Sequence, residues 1–350
     1  MKVKIRIGNE VKEYTGAWED HTLLEVFQEL GITQVHAPCG GNGTCKKCLV
    51  TVEGLGKVLS CQTQCKDDMC VTVAEEQKSA IAENGNCYLY PADAGEGLLA
   101  ACDIGTTTVV CHLLDGATGV RLCTVSAPNA QRSFGADVIS RIQASVDSGL
   151  DKLQSAIVDQ INGMLVQLKQ KAGRTEDIRR LAVAGNTVMS HLFCGLSPES
   201  IGVAPFTPLS LFGESYDAKQ IGIEGCETVY VVPSIAGYVG GDIVADLAAV
   251  QMHSSVLAED GEKETLMLDI GTNGEMVLGK SGSYVCCATA AGPAFEGAEI
   301  AMGMPAASGA ISKVWLEDGK ICCSTINDAP AVGICGSGLI DALAVFLETE

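Results

Sequence analysis

The tetrapeptide Asp-Ile-Gly-Thr occurs twice in this chain, once from Asp103 and again 166 residues later from Asp269. Each copy closes an apolar run, Leu98-Leu-Ala-Ala-Cys in the first case and Thr265-Leu-Met-Leu in the second, and each leads straight into another. That is a strand–turn–strand unit. Its recurrence at so long a separation predicts two duplicated lobes and not a short-period solenoid. The turn has its own chemistry. Glycine allows close backbone approach, the turn amides and threonine hydroxyls can cradle phosphate, and the aspartate can hold a hydrated Mg²⁺. One copy alone is weak, because Asp-Gly turns abound in hairpins; two copies facing each other across a cleft define a candidate nucleotide site.

Ahead of the first copy lies a different module. Lys2–Ile7 and Glu10–Tyr14 alternate around a Gly8-Asn9 turn, which is a hairpin signature. Leu23, Leu24, Val26, Phe27, Leu30 and Ile32 recur at helical spacing, and Gly31 closes the helix. Two strands, a helix and a glycine-rich loop open a β-grasp fold, with 47–53 and 70–74 as further strands. The loop reads Cys39-Gly-Gly-Asn-Gly-Thr-Cys45-Lys-Lys-Cys48, followed by Leu59-Ser60-Cys61-Gln62-Thr63. A [2Fe–2S] cluster needs four thiolates, and this C-x5-C-x2-C…C spacing is close to the plant-type pattern. Gly40, Gly41 and Gly43 let the backbone wrap closely with amides free for the sulfurs. A structural zinc site is the alternative, since Cys-x2-Cys pairs also bind zinc, but zinc does not need the glycine wrap. Cys61 is the expected fourth ligand and Cys65 the reserve.

The 350 residues suit two or three domains, and 47% hydrophobic against 19% charged content excludes a disordered chain. A formal net charge of −20 would repel a nucleic-acid backbone or an anionic membrane surface. There is no long uncharged apolar run, and the N-terminus enters a strand pattern directly, so the expectation is a cytoplasmic protein with no signal peptide, membrane span or nucleic-acid partner. Seventeen cysteines, an odd number in a long chain, argue against a secreted disulfide scaffold. Cys102, Cys111, Cys123, Cys194, Cys286, Cys287, Cys322 and Cys323 lie in apolar runs and read as small core fillers, and Cys70 as a buried strand residue.

These motifs carry resemblances. The cysteine loop with Leu-Ser-Cys-Gln-Thr resembles the [2Fe–2S] ferredoxin family, although only twelve residues separate Cys48 from Cys61. The two Asp-Ile-Gly-Thr turns resemble the phosphate motifs of the acetate and sugar kinase, heat-shock chaperone and actin superfamily, whose lobes are ribonuclease-H-like α/β units closing on ATP. Gly333-Ile-Cys-Gly-Ser-Gly338 is similar to its adenosine motif, and Pro233–Asp246, with Gly240 and Gly241, to the helix joining its lobes. Ala184-Gly-Asn-Thr187 reads as a strand-to-helix turn on the cleft, with His191 a helix residue and not a catalyst. Adding Asn129-Ala-Gln-Arg132-Ser-Phe-Gly135-Ala-Asp137-Val-Ile-Ser140-Arg141 and Gly292-Pro-Ala-Phe-Glu296-Gly297, nearly the whole chain resembles the reductive activators of corrinoid-dependent methyltransferases.

That resemblance implies an α/β protein with a β-grasp [2Fe–2S] domain over 1–74 and a linker over 75–97. An actin-like lobe with the inter-lobe helix follows over 98–262, and a second lobe over 263–350. Because the chain stops within an apolar helix pattern, that second lobe reads as truncated. Cys39, Cys45, Cys48 and Cys61 would hold the cluster. Asp103 and Asp269 would form the Mg²⁺–phosphate centre, Gly105, Thr106, Thr107, Gly271, Thr272 and Asn273 would line the phosphates, and Gly336 and Gly338 the nucleoside. Asp242 would contact phosphate-bound metal or cap its helix; Arg132 and Arg141 would meet partner or phosphate, or lie on a solvated surface; Glu296 would face the corrinoid. The implied activity is ATP-dependent transfer of one electron from the cluster to Co(II) of a corrinoid protein, regenerating Co(I), with an external low-potential electron donor. Rivals are an electron carrier whose ATPase body only binds a partner, a small-molecule kinase, and an activator of a dehydratase.

Overall fold

The computed structural model describes the chain except residues 9, 33, 36, 38–40, 44–47, 75–94, 254–263, 272, 281–282, 290–299, 305, 318 and 350. By its contacts the chain divides into two units, the first containing the described residues as far as Ala245 and the second those from Asp246 onward.

The first unit opens with the expected hairpin, β1 (Lys2–Ile7) and β2 (Glu10–Thr15), in register from Lys2 opposite Thr15 to Ile7 opposite Glu10. Alternation decides the faces, so Val3 and Ile5 are buried while their charged neighbours stay in water. Helix α1 (Leu23–Glu29) starts at Thr22 with a capping box to Glu25, and Gly31 takes the left-handed conformation just beyond its end. Strands β3 (Leu49–Val52), β4 (Gly56–Leu59) and β5 (Met69–Val73) complete a five-stranded sheet of order β2-β1-β5-β3-β4, in which β5 runs parallel to β1. Trp18, Leu23, Val26, Phe27 and Val71 fill the core beneath α1. Strand β4 falls in the interval before Cys61, where Gly54 and Gly56 turn the chain back at positive φ.

The second domain of this unit is a six-stranded sheet of order β10-β11-β9-β6-β7-β8. Strands β6 (Leu98–Ile104), β7 (Thr108–Asp115) and β8 (Arg121–Pro128) form an antiparallel meander. Strand β9 (Ile178–Gly185) runs parallel to β6, and β11 (Cys226–Val231) parallel to β9, with the short β10 (Ser215–Asp217) at the edge. Three antiparallel strands followed by two parallel ones on the far side of the first is the ribonuclease-H-like arrangement. Helix α2 (Val138–Ala144) runs through a single π turn into α3 (Leu150–Ala172). Leu153, Ile157, Ile161, Leu165 and Leu168 form one fully buried stripe of α3, each residue gaining about 1.5–3 kcal/mol from burial. The β-grasp domain meets this lobe through Gln28, whose Nε2 donates to the Ser133 carbonyl at 2.7 Å. Helices α4 (Thr187–Cys194) and α5 (Ala218–Ile221) follow β9 and β10, and α6 (Gly241–His253) carries the chain onward.

In the second unit, β12 (Thr265–Ile270), β13 (Gly274–Lys280) and β14 (Ser283–Thr289) repeat the antiparallel meander. Strands β15 (Ala310–Glu317), β16 (Lys320–Thr325) and β17 (Gly333–Ile334) form another small sheet, and α7 (Gly336–Glu348) follows. One face of the meander carries Leu266, Leu268, Ile270, Leu278 and Val285, all exposed. Two of the expected core cysteines are also exposed here, Cys287 and Cys323. The reason is the strand period: Cys286-Cys287 and Cys322-Cys323 are consecutive in strands, so one member of each pair must face away from its neighbour. Cys70, Cys123 and Cys194 are half-buried, whereas Cys102 and Cys111 are core residues as expected.

Candidate cluster and nucleotide sites

In the β-grasp domain, Cys48 ends the glycine loop just before β3, and Cys61 sits in a 3-10 turn over Ser60–Gln62 just after β4. Antiparallel pairing of β3 with β4 places Leu49 opposite Leu59, so residues thirteen apart in sequence come together. Their Sγ atoms lie 3.3 Å apart, and both side chains are buried. Gly41 and Gly43 hold φ of +89° and +73°, and a Cβ on Gly41 would lie 3.9 Å from that of Cys61. The Gly43 amide works to lower the Cys61 pKa, and Gln62 Nε2 reaches both that sulfur (3.8 Å) and the Gly41 carbonyl (3.3 Å). Burial, then the hydrogen bond and charge of Cys48, push the Cys61 thiol up to about 11. Without a cation this thiol is therefore protonated at neutral pH, and iron would have to displace that proton.

Two buried sulfurs at this separation, with amide donors around them, fit the thiolate-and-amide surroundings of an iron–sulfur cluster. Cys39 and Cys45 lie outside the described residues. Cys65 is also buried, but its N–H is tied to the His21 carbonyl (2.8 Å) at the approach to α1.

The first Asp-Ile-Gly-Thr turn joins β6 to β7. Asp103 is exposed near the end of β6, and Ile104 pairs with Val109, leaving Gly105, Thr106 and Thr107 in the bend. A Cβ on Gly105 would come within 2.7 Å of the Thr108 carbonyl, so the turn admits only glycine there. Parallel pairing sets Ile104 beside Gly185, bringing the β9–α4 turn next to the bend. Asn186 caps α4 by accepting the Met189 N–H and donates its Nδ2 to Thr106 Oγ1 at 3.0 Å. Gly240 lies against that cap: a Cβ there would be 2.4 Å from the Asn186 Cα. Asp242 lies in the first turn of α6, one residue inside the helix, and its Oδ1 accepts the Ile243 N–H at 2.9 Å.

His191 is a loop staple. Its Nε2 accepts the Leu209 and Ser210 N–H groups at 3.2 and 3.3 Å, so the proton sits on Nδ1, which donates to the Thr187 carbonyl. Arg141 is fully buried next to the first Asp-Ile-Gly-Thr turn, contrary to the solvated-surface alternative.

The second turn joins β12 to β13 and is tight, with the Gly271 N–H donating to the Asn273 carbonyl at 3.0 Å. Thr272 and Glu296 lie outside the described residues. Asp269 is half-buried, and burial raises its pKa. It stands directly opposite Glu275, which is buried, so the two carboxylates share a sheet face. Sequence reading passed over Glu275, although its place two residues past Asn273 in a hairpin gives this pairing. Gly336 and Gly338 open α7; a Cβ on Gly338 would come within 2.2 Å of the Ile311 carbonyl, which makes that glycine a packing requirement of α7 on β15.

A β-grasp domain with clustered cysteines, followed by a ribonuclease-H-like lobe and a second strand–turn–strand unit, defines the class: an iron–sulfur domain fused to an ASKHA-type ATPase body. The comparisons agree. Residues 6–76 match the 2Fe-2S iron-sulfur cluster binding domain, residues 98–255 the RACo middle region, and residues 263–350 the C-terminal domain of RACo, the ASKHA domain. The corrinoid activation enzyme RamQ of Eubacterium limosum is 33% identical over 93% of this chain and 68% of its own length. The [Co(II) methylated amine-specific corrinoid protein] reductase of Methanosarcina barkeri is 28% identical over 71% of this chain, which spans half of that protein. The solved structure of a reductive activator for corrinoid, iron-sulfur protein superposes with a TM-score of 0.62 at 32% identity, covering 98% of this chain and 72% of that one. This chain belongs to the RACo family of corrinoid activation enzymes.

Proposed function

We propose that the chain activates a corrinoid protein reductively, returning Co(II) to Co(I) by one electron at the expense of ATP. The observation that carries this reading is the presence, in one member of the RACo family, of two buried thiols 3.3 Å apart under a glycine wrap and of an Asp-Ile-Gly-Thr turn whose bend admits only glycine at Gly105.

Cys48 and Cys61, with Cys39 and Cys45, are the residues that would hold a [2Fe–2S] cluster, which when bound supplies a one-electron store. Gly43 and Gln62 donate toward the Cys61 sulfur, favouring the more negative reduced state. The electron enters from an external low-potential donor and leaves to cobalt, so each turnover oxidises the chain by one electron and reduces one Co(II).

For the nucleotide, Gly105–Thr107 would bind phosphate, with Gly271, Thr272 and Asn273 as the second turn. Asp103 and the Asp269–Glu275 pair would serve the Mg²⁺ that balances its charge. A cation between the two opposed carboxylates relieves their repulsion. Asp242 would contact phosphate-bound metal or cap its helix, and Gly336 and Gly338 would border the nucleoside. ATP can drive the transfer only if the chain grips the Co(II) and Co(I) partners with different affinity in its nucleotide states. The exposed apolar face of β12–β14 supports reading the second lobe as incomplete within these residues. The same proposal takes the domain limits as 1–74, 75–97, 98–262 and 263–350 and the location as the cytoplasm. No helix among the described residues is long and apolar enough to cross a membrane.

The test is anaerobic: chain reconstituted with iron and sulfide, a chemical reductant, and a Co(II) corrinoid protein. Co(I) absorbance should appear with MgATP and fail with Asp269→Ala. Equal Co(I) formation with and without nucleotide would reduce the chain to a simple electron carrier.

A further inference from the structure

The motif Asn129–Arg141 carries no thiol and no phosphate turn, yet its side chains converge on the first turn from behind. The Gly105 carbonyl accepts from Asn129 Nδ2 at 2.8 Å. The Thr106 carbonyl accepts from Arg141 Nη2 at 2.5 Å. The Thr107 carbonyl accepts from the Asn129 backbone N–H at 2.9 Å. Three consecutive carbonyls are thus drawn to one side. In a trans peptide the C=O and the following N–H point in opposite directions. The N–H groups of Thr106 and Thr107 therefore point away from the segment, and a row of such amides is an anion-binding concavity.

The segment is itself anchored. Asn129 is fully buried and its Oδ1 accepts the Gln131 N–H. The Ala130 N–H donates to Gln160 Oε1 at 2.7 Å and Gln131 Nε2 to the Leu153 carbonyl at 2.8 Å, fixing the segment to α3. Arg141 is also fully buried, with Nε on the Gly135 carbonyl and Nη1 on Met189 Sδ, both at 3.0 Å. Among the described residues no carboxylate forms an ion pair with it. Burial, then the charge of Arg132, lowers its pKa to about 9, so it remains a cation at neutral pH. The carboxylate of Asp137 acts on it in the opposite sense without bonding it, so the buried cation remains costly, and an anion bound just beyond the turn offsets that cost.

We propose that Asn129 and Arg141 are positioning residues that preset the Gly105–Thr107 turn for a nucleotide phosphate, holding its carbonyls inward while Arg141 places a buried positive charge behind it. The proposal rests on the ATP reading given above.

The test compares MgATP with adenosine, which has no phosphate, binding to the full reconstituted chain by competition calorimetry. Wild type should prefer MgATP. Arg141→Lys keeps a charge but cannot span the same carbonyls, and Asn129→Ala releases Gly105; each should weaken MgATP by about 10- to 100-fold, as expected for lost hydrogen bonds to or from a charged group, with adenosine affinity unchanged. Should Arg141→Met fold, its loss should be larger than that of Arg141→Lys. MgATP binding by Arg141→Lys and Asn129→Ala at wild-type affinity would overturn the proposal. So would equal losses for MgATP and adenosine, which would mark a general loosening of the lobe. Wild-type protein that binds no MgATP would overturn the nucleotide reading itself, before any variant is compared.

Discussion

Replacing Gly240 by alanine probes a close backbone approach beside the first Asp-Ile-Gly-Thr turn. The added Cβ would sit 2.4 Å from the Asn186 Cα, 2.7 Å from the Thr187 nitrogen and 2.8 Å from the Asn186 carbonyl carbon. Ordinary contact begins near 3.4 Å, so the deficit is about 1 Å, and all three obstacles are backbone atoms that no rotamer change can move. Either the start of α6 or the cap of α4 must shift. Overpacking of this kind costs about 1–3 kcal/mol, and disturbing the bond from the Met189 N–H to Asn186 Oδ1 adds about 1 kcal/mol. A net loss of about 2–4 kcal/mol corresponds to about 30- to 700-fold faster exchange where local opening governs. Hydrogen–deuterium exchange with mass spectrometry on the full chain reads it directly, in peptides spanning residues 181–194. Because Asn186 also bonds Thr106 Oγ1, MgATP affinity should fall with it. Exchange in those peptides changed by less than about threefold would refute the reasoning, since no 1 Å collision between backbones is accommodated so cheaply.

Four further outcomes follow from particular side chains. Cys61→Ser should lose the visible cluster spectrum and most bound iron, whereas Cys65→Ser should keep both; the reverse would reassign the fourth ligand. Ser60 is fully buried, one residue from Cys61, and its Oγ has no hydrogen-bond partner among the described residues; Ser60→Ala should lower the midpoint potential in a redox titration through loss of a donor to a cluster sulfur, and an unchanged or higher potential would exclude that donor. His191 is buried, and desolvation lowers its pKa below 6.5. The unfolded chain takes up a proton at about pH 6.5 while the native ring resists it, so this contribution is complete above that pH and lost as pH falls below it; His191→Asn should flatten the acid limb of a stability–pH curve. Asp269 has its pKa raised by burial, so its ionised form destabilises the second unit at neutral pH; Asp269→Asn should raise thermal stability while weakening MgATP binding, and a loss of both would point to a purely structural aspartate.

The local patterns were legible because each depends on short-range rules. The 2–7 and 10–15 alternation, the Thr22–Glu25 box and Gly31 delimit the hairpin and α1 without tertiary information. The paired turns were likewise found as strings. What could not be read is contact at long separation: Asn129 with Gly105 is 24 residues apart, Arg141 with Thr106 is 35, and Asn186 with Thr106 is 80. For that reason the solvated-surface alternative for Arg141 gives way to a buried residue behind the turn. Strand β4 was missed because Gly56-Lys-Val-Leu59 is short and begins with glycine, leaving too little pattern to set against a loop. Cys287 and Cys323 lie in hydrophobic runs, but the two-residue period of a strand turns them to the exposed face.

The central claim is that nucleotide binding and electron delivery are coupled in one chain. A single-turnover experiment tests it most directly: chain reduced by one electron, freed of excess reductant, is mixed in a stopped-flow spectrometer with a Co(II) corrinoid protein, with and without MgATP. The account predicts that bleaching of the reduced chain and growth of the Co(I) band proceed together, one for one, and only when MgATP is present. Co(I) appearing at the same rate without nucleotide, or MgATP hydrolysed while the chain stays reduced, would contradict it.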